Sequence, residues 1–462
     1  MRVFLLVPRC LNPKQTYREY PLGVGLIATA LRRRGHEVAL YDQPAEGADD
    51  GPLWAKMRGF APDVVGFSVI TPSYPVAQQQ IQQVQRELPG ALIVAGGIHP
   101  SLFAEDLLAD GADVVVIGEG AESMSTLLDR VEGRRSWHDL PGLAYREATA
   151  AGDRVVRTAG NAQRDTAEDP GIIDRSVYNL PLYTHHSMMA SLGCPYRCAF
   201  CCNYAGTVLQ KGVTVRSHEC ILEEMRYLAE QFAARQVFFV DDVFLLSRRN
   251  ALEFCRRLEQ ERLGLEWIAQ MRVDTIDADV ATAMATANCR RVYFGVESGS
   301  EAVLRRCRKG IDKEAVRLAV RSAKQAGLRV KTGWIFGLPG TLDEQYESIG
   351  FMRELRPHEI SIHQLIPFPG TEYYDRAAEH RIRIRDPKDF ASFCYGGLGK
   401  NITFDYLSEG ELVALFEEAA AVLESEGYVH SDRAGPQDEY VYSTPLSATS
   451  MNVFRTQDQS VG

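Results

Sequence analysis

Basic charge, cysteine and long apolar runs are all in short supply in this chain. Lysine and arginine number 51 against 61 aspartates and glutamates, a net charge of −10 over 462 residues. A surface made to hold a phosphate backbone wants the opposite balance, so a nucleic-acid partner is disfavoured. No apolar run approaches the roughly 20 residues of a membrane span. The N-terminal RVFLLVP is interrupted by Pro8 and lacks a small-residue cleavage site, so it reads as a buried strand rather than a leader. Ten scattered cysteines do not make a secreted disulfide framework, and a reducing, cytoplasmic setting is expected. The remaining composition, 45% hydrophobic and 24% charged, is that of a folded protein with length for two or three cores.

What is present falls into two α/β series. Residues 1–135 alternate short Val/Ile/Leu runs (2–8, 36–42, 63–70, 91–98, 113–120) with amphipathic stretches such as 22–35 and 75–88. Near-continuous apolar strands separated by helices predict a parallel sheet covered on both faces, a doubly wound (Rossmann-like) domain. Ligands of such sheets lie beyond the C-terminal strand ends. Those ends carry SVITPSYP, AGGIHPS and GEGAES, small turn-forming segments that bring backbone close to a ligand or simply close tight turns. A polar connector with a small β excursion is expected over 136–185. The second series, 186–374, has strands at 186–193, 236–242, 265–272, 290–298, 328–337 and 359–367 with helical spacing between them. Six βα repeats suit a partial barrel, too few to close an eight-fold one. A small α-rich C-terminal region at 375–429, with a helix at 408–427, and a disordered polar tail at 430–462 complete the expected layout.

Cysteine, sparse elsewhere, is concentrated in GCPYRCAFCCNYAG, where residues 194, 198, 201 and 202 are all cysteines. Structural zinc would want a second paired knuckle, and neither His218 nor Cys220 supplies one. A thioredoxin-type C-x-x-C leaves Cys194 unexplained. Three thiolates on a loop after a first strand suit a [4Fe–4S] cluster with one open iron.

CPYRCAFC resembles the C-x-x-x-C-x-aromatic-C signature of the radical S-adenosylmethionine (SAM) superfamily. The resemblance implies cluster ligation by Cys194, Cys198 and Cys201, with Cys202 dispensable. It also implies chelation of SAM by the open iron, and reductive cleavage of SAM to a 5′-deoxyadenosyl radical with electrons from a flavodoxin- or ferredoxin-type donor. Further segments carry the likeness. By position they imply SAM contacts from Phe200, from Asp241 and Asp242 in VDDVF, from Arg272, from Glu297 and Ser298 in GVESGSE, and from Gly333 and Gly337 in GWIFGLPG. The familiar Gly-Gly-Glu of the second-strand loop is absent.

A doubly wound domain ahead of such a barrel is similar to the cobalamin-binding subgroup. The competing methylthiotransferases carry three further cysteines in their N-terminal domain, whereas residues 1–193 here hold Cys10 alone. The resemblance implies cobalamin bound by Ser68, Thr71, Ser73 and Tyr74 after the third strand, Gly96, Gly97 and His99 after the fourth, and Gly118, Glu119 and Gly120 after the fifth. The loop from Ser68 to Tyr74 is the expected lower face. No Asp-x-His-x-x-Gly motif occurs, which implies a corrin without a histidine ligand. Together these features imply a C-methyltransferase acting on an unactivated carbon of a small molecule. Cyclisation or rearrangement chemistry is the alternative, and a first domain that merely docks substrate or partner is a third.

Overall fold

In the computed structural model, which describes residues 1–11, 20–150, 152–159, 171–183, 186–202, 212–394, 401–430 and 452–456, the two series become two compact units. One is built on residues 1–185 and the other on residues from 186 onward. No helix among the described residues is long and apolar enough to cross a membrane.

The first unit opens with β1 (Arg2–Val7), α1 (Leu22–Arg33), β2 (Glu37–Asp42), α2 (Asp50–Phe60) and β3 (Val64–Ser68). It continues with α3 (Tyr74–Glu87), β4 (Leu92–Gly96), β5 (Val114–Val116) and α4 (Ala121–Glu132). The sheet order is β2-β1-β3-β4-β5, all parallel. This is the flavodoxin-type order, whose switch point lies between β1 and β3. Val3, Phe4, Leu6, Val64, Val65 and Val115 are buried to the last atom, as strands covered on both faces must be. The β excursion expected in a connector is the hairpin β6 (Leu143–Thr149) and β7 (Gly152–Arg157), which extends this same sheet antiparallel to β5.

The second unit lays down β8 (His186–Met188), β9 (Gln236–Phe239), β10 (Glu266–Met271), β11 (Cys289–Glu297), β12 (Arg329–Phe336) and β13 (Glu359–Gln364) as six parallel neighbours in chain order. That is the strand order of a partial (βα)6 barrel. The covering helices are α5 (His218–Phe232), α6 (Arg248–Glu261), α7 (Ala278–Thr286), α8 (Lys313–Gln325) and α9 (Leu342–Leu355).

The two faces of this sheet differ in chemistry. Val292, Phe294 and Val296 alternate with Arg291, Tyr293, Gly295 and Glu297 along β11. Register aligns Tyr293 and Gly295 with Lys331 and Gly333, and these with Glu359 and Ser361. Trp334, on the other face, packs edge-on against Phe351 of α9 with centroids 6.0 Å apart. One face is therefore apolar under helices, and the other is polar.

After β13, the hairpin β14 (Ile382–Ile384) and β15 (Ile402–Phe404) precedes α10 (Glu409–Ser425) and β16 (Tyr428–His430), so the region expected to be α-rich is mixed. The tail expected to lack order contributes β17 (Asn452–Thr456), paired antiparallel with β13 and β16. Its pairing covers what would otherwise be an open edge of the barrel sheet.

Candidate functional site

The loop that follows β8 carries the clustered cysteines, and its ends are tied to groups from several other segments of the second unit. Asp241, just past β9 and 1% exposed, accepts from the backbone N–H of Ala190 (3.0 Å), from that of Ser191 and from the Ser191 hydroxyl (2.7 Å). Arg216, in a fully buried pair with Glu224 at 2.5 Å, donates to the Met189 carbonyl at 2.8 Å. At the far end Ala199 N–H donates to the Cys307 carbonyl (2.9 Å) and Tyr373 N–H to the Ala199 carbonyl (3.2 Å). Arg308 Nε reaches the Arg197 carbonyl at 3.2 Å. None of the ten cysteines is in a disulfide.

Two buried cations face this loop. Arg272, 4% exposed, lies 3.4 Å above the Tyr196 ring, chelates Asp274 (3.0 and 2.9 Å) and donates to the Lys309 carbonyl at 3.0 Å. Lys309, 8% exposed, pairs with Glu297 Oε1 at 2.6 Å and lies 5.8 Å from the Phe200 ring centre. Burial pulls the Lys309 pKa down, but Glu297 and the Cys198 thiol outweigh it and leave it raised. Glu297 holds a positive φ of 71° at a bulge in β11. Gly295 makes room for the pair: a Cβ there would lie 2.4 Å from Glu297 Oε1 and 3.1 Å from Lys309 Nζ. Lys309 was missed from sequence, since RCRKG in a loop carries no periodic signal. The polar β11 face was legible in principle as the alternation of RVYFGVE.

Burial raises the pKa of Cys194 and of Cys198, and Lys309 and Arg272 oppose it at Cys198. The donor set fits an iron–sulfur cluster: three thiols within eight positions of one anchored loop, with buried cations at hand to offset thiolate charge. Among the described residues no three His, Cys, Asp or Glu side chains already stand together as a preformed metal site.

Of the residues expected to contact SAM, Phe200, Arg272 and Glu297 stand around the cysteine loop, and the others make contacts of their own. Asp241 is committed to anchoring the loop, while the exposed Asp242 carries its charge beside Cys194 and Cys202. Ser298 is 3% exposed and its hydroxyl accepts from Ser300 N–H at 3.1 Å, closing a turn. Gly333 is there for Tyr293, whose hydroxyl would lie 2.3 Å from an added Cβ. Gly337, at φ +85°, donates to Gln345, accepts from Tyr406 and lies under Phe404.

In the first unit the expected cobalamin residues divide in the same way. Thr71, Ser73, Tyr74 and His99 are buried, at 4%, 0%, 8% and 0% exposed. His99 packs between the rings of Tyr74 (4.4 Å) and Phe103 (4.9 Å), with Nδ1 3.4 Å from Thr71 Oγ1, and burial pushes its pKa down to about 3. Its ring is packed in the core of this unit. Gly120 lets α4 approach Ile27, which would lie 2.9 Å from an added Cβ. Ser68, Gly96, Gly97, Gly118 and Glu119 are half-buried at the ends of β3, β4 and β5. These small residues leave backbone open at the switch point, which fits a large flat ligand. The side chain exposed among them is Ile70 (38%), which the sequence reading passed over.

Comparison with known proteins agrees with both halves. Residues 9–128 match the B12 binding domain family and residues 188–352 the Radical SAM superfamily. An uncharacterized methyltransferase of Pyrococcus horikoshii is 28% identical over 370 residues, 79% of this chain and 80% of that protein. Hopanoid C-3 methylase of Methylococcus capsulatus is 27% identical over 397 residues (84% and 75%). Anaerobic magnesium-protoporphyrin IX monomethyl ester cyclase of a Synechocystis strain is 24% identical over 386 residues (78% and 74%). The solved radical SAM methyltransferase TsrM of Kitasatospora setae, with cobalamin and a [4Fe–4S] cluster bound, superposes at a TM-score of 0.73 and 19% identity, covering 91% of this chain and 88% of that one. The flavodoxin-type unit is thus matched by the B12 binding domain family and the six-strand parallel unit with its cysteine loop by the Radical SAM superfamily, so the chain combines these two domains.

Proposed function

We propose that this chain is a cobalamin-dependent C-methyltransferase that consumes two SAM per turnover and acts on an unactivated carbon of a small natural-product, lipid or pigment intermediate. The carrying observation is the pairing of a switch-point unit matching the B12 family with an anchored three-cysteine loop after the first strand of a radical SAM unit. The methylases among the relatives support methyl transfer in particular. When bound, the cluster with SAM supplies a carbon-centred radical able to abstract hydrogen, and cobalamin supplies a methyl group.

The chain's own residues do the holding. Cys194, Cys198 and Cys201 would ligate the cluster. Asp241, Arg216 and the Cys307 carbonyl fix the loop that presents them. Arg272 and Lys309 offset thiolate charge in a site where water is scarce and charge is felt strongly. Phe200 offers a flat face to a nucleoside. A flavodoxin- or ferredoxin-type donor would deliver the electron.

Anaerobic reconstitution with iron, sulfide, hydroxocobalamin and methyl-deuterated SAM tests the reading. The expected result is S-adenosylhomocysteine formed in step with bound cobalamin, and 5′-deoxyadenosine formed under reduction. Deoxyadenosine without S-adenosylhomocysteine would shift the assignment to a cyclase or rearrangement enzyme, a second reading favoured by the cyclase relative. Failure of cobalamin to survive desalting would leave the first unit a docking module.

A further inference from the structure

We propose that the polar face of the second unit's sheet holds a subsite for an oxyanion, a carboxylate or phosphate carried by the substrate. Lys331 is its charged anchor, and Tyr293, Ser361 and His363 supply hydrogen bonds. The inference rests on the small-molecule reading above and specifies the kind of molecule within it.

Register brings the four residues together on three adjacent strands. Tyr293 of β11 is level with Lys331 of β12. One step nearer the C-terminal strand ends, Gly295, Gly333 and Ser361 are level with one another, and one step further His363 is level with Ile335. Gly333 lets the Tyr293 ring lean along the sheet: a Cβ there would lie 2.3 Å from the phenol oxygen and 3.0 Å from two ring carbons. The hydroxyl is thereby carried up to the level of Ser361. The Lys331 ammonium stands 5.3 Å from the centre of the same ring, and Ser361 Oγ lies 2.9 Å from His363 Nε2. Tyr293, Ile335 and His363 are only half-buried, although they lie on the face turned away from the covering helices. A few convergent polar groups on a concave, partly open face are what a small-molecule site is made of.

Charge then selects the ligand. Glu359, level with Lys331, is held by Arg291 at 2.9 and 3.1 Å and by Arg329 at 3.6 Å. Glu297, on the same face, pairs with Lys309 at 2.6 Å. Among the described residues on this face of the three strands, with Lys309 included, four cations meet two carboxylates. That local excess is positive in a chain whose net charge is −10. Lys331 is 9% exposed and carries three N–H donors, enough to serve a ligand besides its neighbours in the protein. Burial and the Lys331 charge push the His363 pKa down to about 3, so its imidazole is neutral and hydrogen-bonds without adding charge. An ammonium, two hydroxyls and a neutral imidazole match the several lone pairs of a carboxylate or phosphate, and charge-assisted bonds of this kind are the strong ones.

Isothermal titration calorimetry of the full chain, reconstituted anaerobically with cluster and cobalamin, tests this with three probes of similar shape: benzoate, phenyl phosphate and benzyl alcohol. Wild type is expected to bind at least one of the anions, and the alcohol at least about tenfold more weakly, the weight of one charge-assisted contact. Preference between the two anions separates a carboxylate from a phosphate substrate. Lys331→Met should weaken the bound anion by about tenfold or more, and Tyr293→Phe, which removes a single oxygen, by about threefold or more. Both variants should keep the wild-type far-ultraviolet spectrum. Should Lys331→Met fail to fold, Tyr293→Phe decides alone. Binding of neither anion by wild type, equal binding of the alcohol, or unchanged anion affinity in either folded variant overturns the subsite. The methyltransferase reading fails separately: anion binding without S-adenosylhomocysteine formation would remove that reading and leave the subsite, and methyl transfer by a chain that binds neither anion would do the reverse.

Discussion

Gly97→Ala offers a sharp test of how the strand ends of the first unit are assembled. Gly97 sits at φ 105° and ψ −170°, a region essentially closed to residues with a Cβ and costing them about 1–3 kcal/mol. The added methyl would lie 2.8 Å from the Val69 oxygen and 3.0 Å from its nitrogen. Both contacts are to backbone, so relief requires the β3 and β4 loops to part. Parting them strains the hydrogen bonds Val69 N–H to Gly96 and His99 N–H to Val69, at about 0.5–1.5 kcal/mol each. Together these give a loss of about 2–6 kcal/mol. The same Gly→Ala change at Gly23, an exposed helical position with nothing within 4 Å, should instead stabilise by about 0.5 kcal/mol. Urea titration followed by far-ultraviolet circular dichroism compares the two, with cobalamin retention after desalting as a second readout. A Gly97→Ala protein within about 0.5 kcal/mol of wild type and with full retention would refute the packing argument.

Three further outcomes are expected. Alanine at Cys194, Cys198 or Cys201 should abolish SAM cleavage and the cluster's visible absorbance, whereas Cys202→Ala should keep both; loss at Cys202 would mean that the ligand set is misassigned. Asp241→Asn places an amide N–H₂ among three donors and leaves at least one buried N–H without its acceptor, at about 1–3 kcal/mol, so iron content after reconstitution should fall while the far-ultraviolet spectrum stays native. Asp42, 5% exposed and bonded to Tyr183 (2.7 Å), has its pKa raised by burial to about 7, against about 3.9 in an unfolded chain. Its protonated form favours folding, so the contribution is full below pH ~4 and is lost as pH rises through 7. Asp42→Asn should remove this loss, gaining up to about 4 kcal/mol on wild type between pH 4 and pH 8.

Strand order and the cysteine signature were legible because both are local: runs such as VVGFS and RVFLLV are apolar throughout, and CPYRCAFC holds its thiols within eight positions. The roles of glycines and short polar residues were not. Gly333 makes space for Tyr293 and Ser298 closes a turn, contacts the motifs do not disclose, because a motif reports that a residue is constrained without saying what constrains it. The helical turn at Ile98–Leu102 rolls His99 inward onto Tyr74, a packing that GGIHPS alone does not disclose. Lys309 and Glu297 meet only through the fold, twelve residues apart in sequence. The strand at 452–456 was hidden by its polar surroundings, its pairing partner lying some ninety residues earlier.

The anchoring of the cysteine loop bears on its portability. Its backbone is gripped by Asp241, by Arg216 with Glu224, by the Cys307 carbonyl and by Tyr373, contributions drawn from sites dispersed across the second unit. A transplant of GCPYRCAFCCNYAG into a foreign barrel would bring the thiols without these handholds. An engineer who wished to move the chemistry would have to move the grip with it, and a designer of a minimal maquette would do better to copy the Asp241 carboxylate and the Cys307 carbonyl before adding another sulfur.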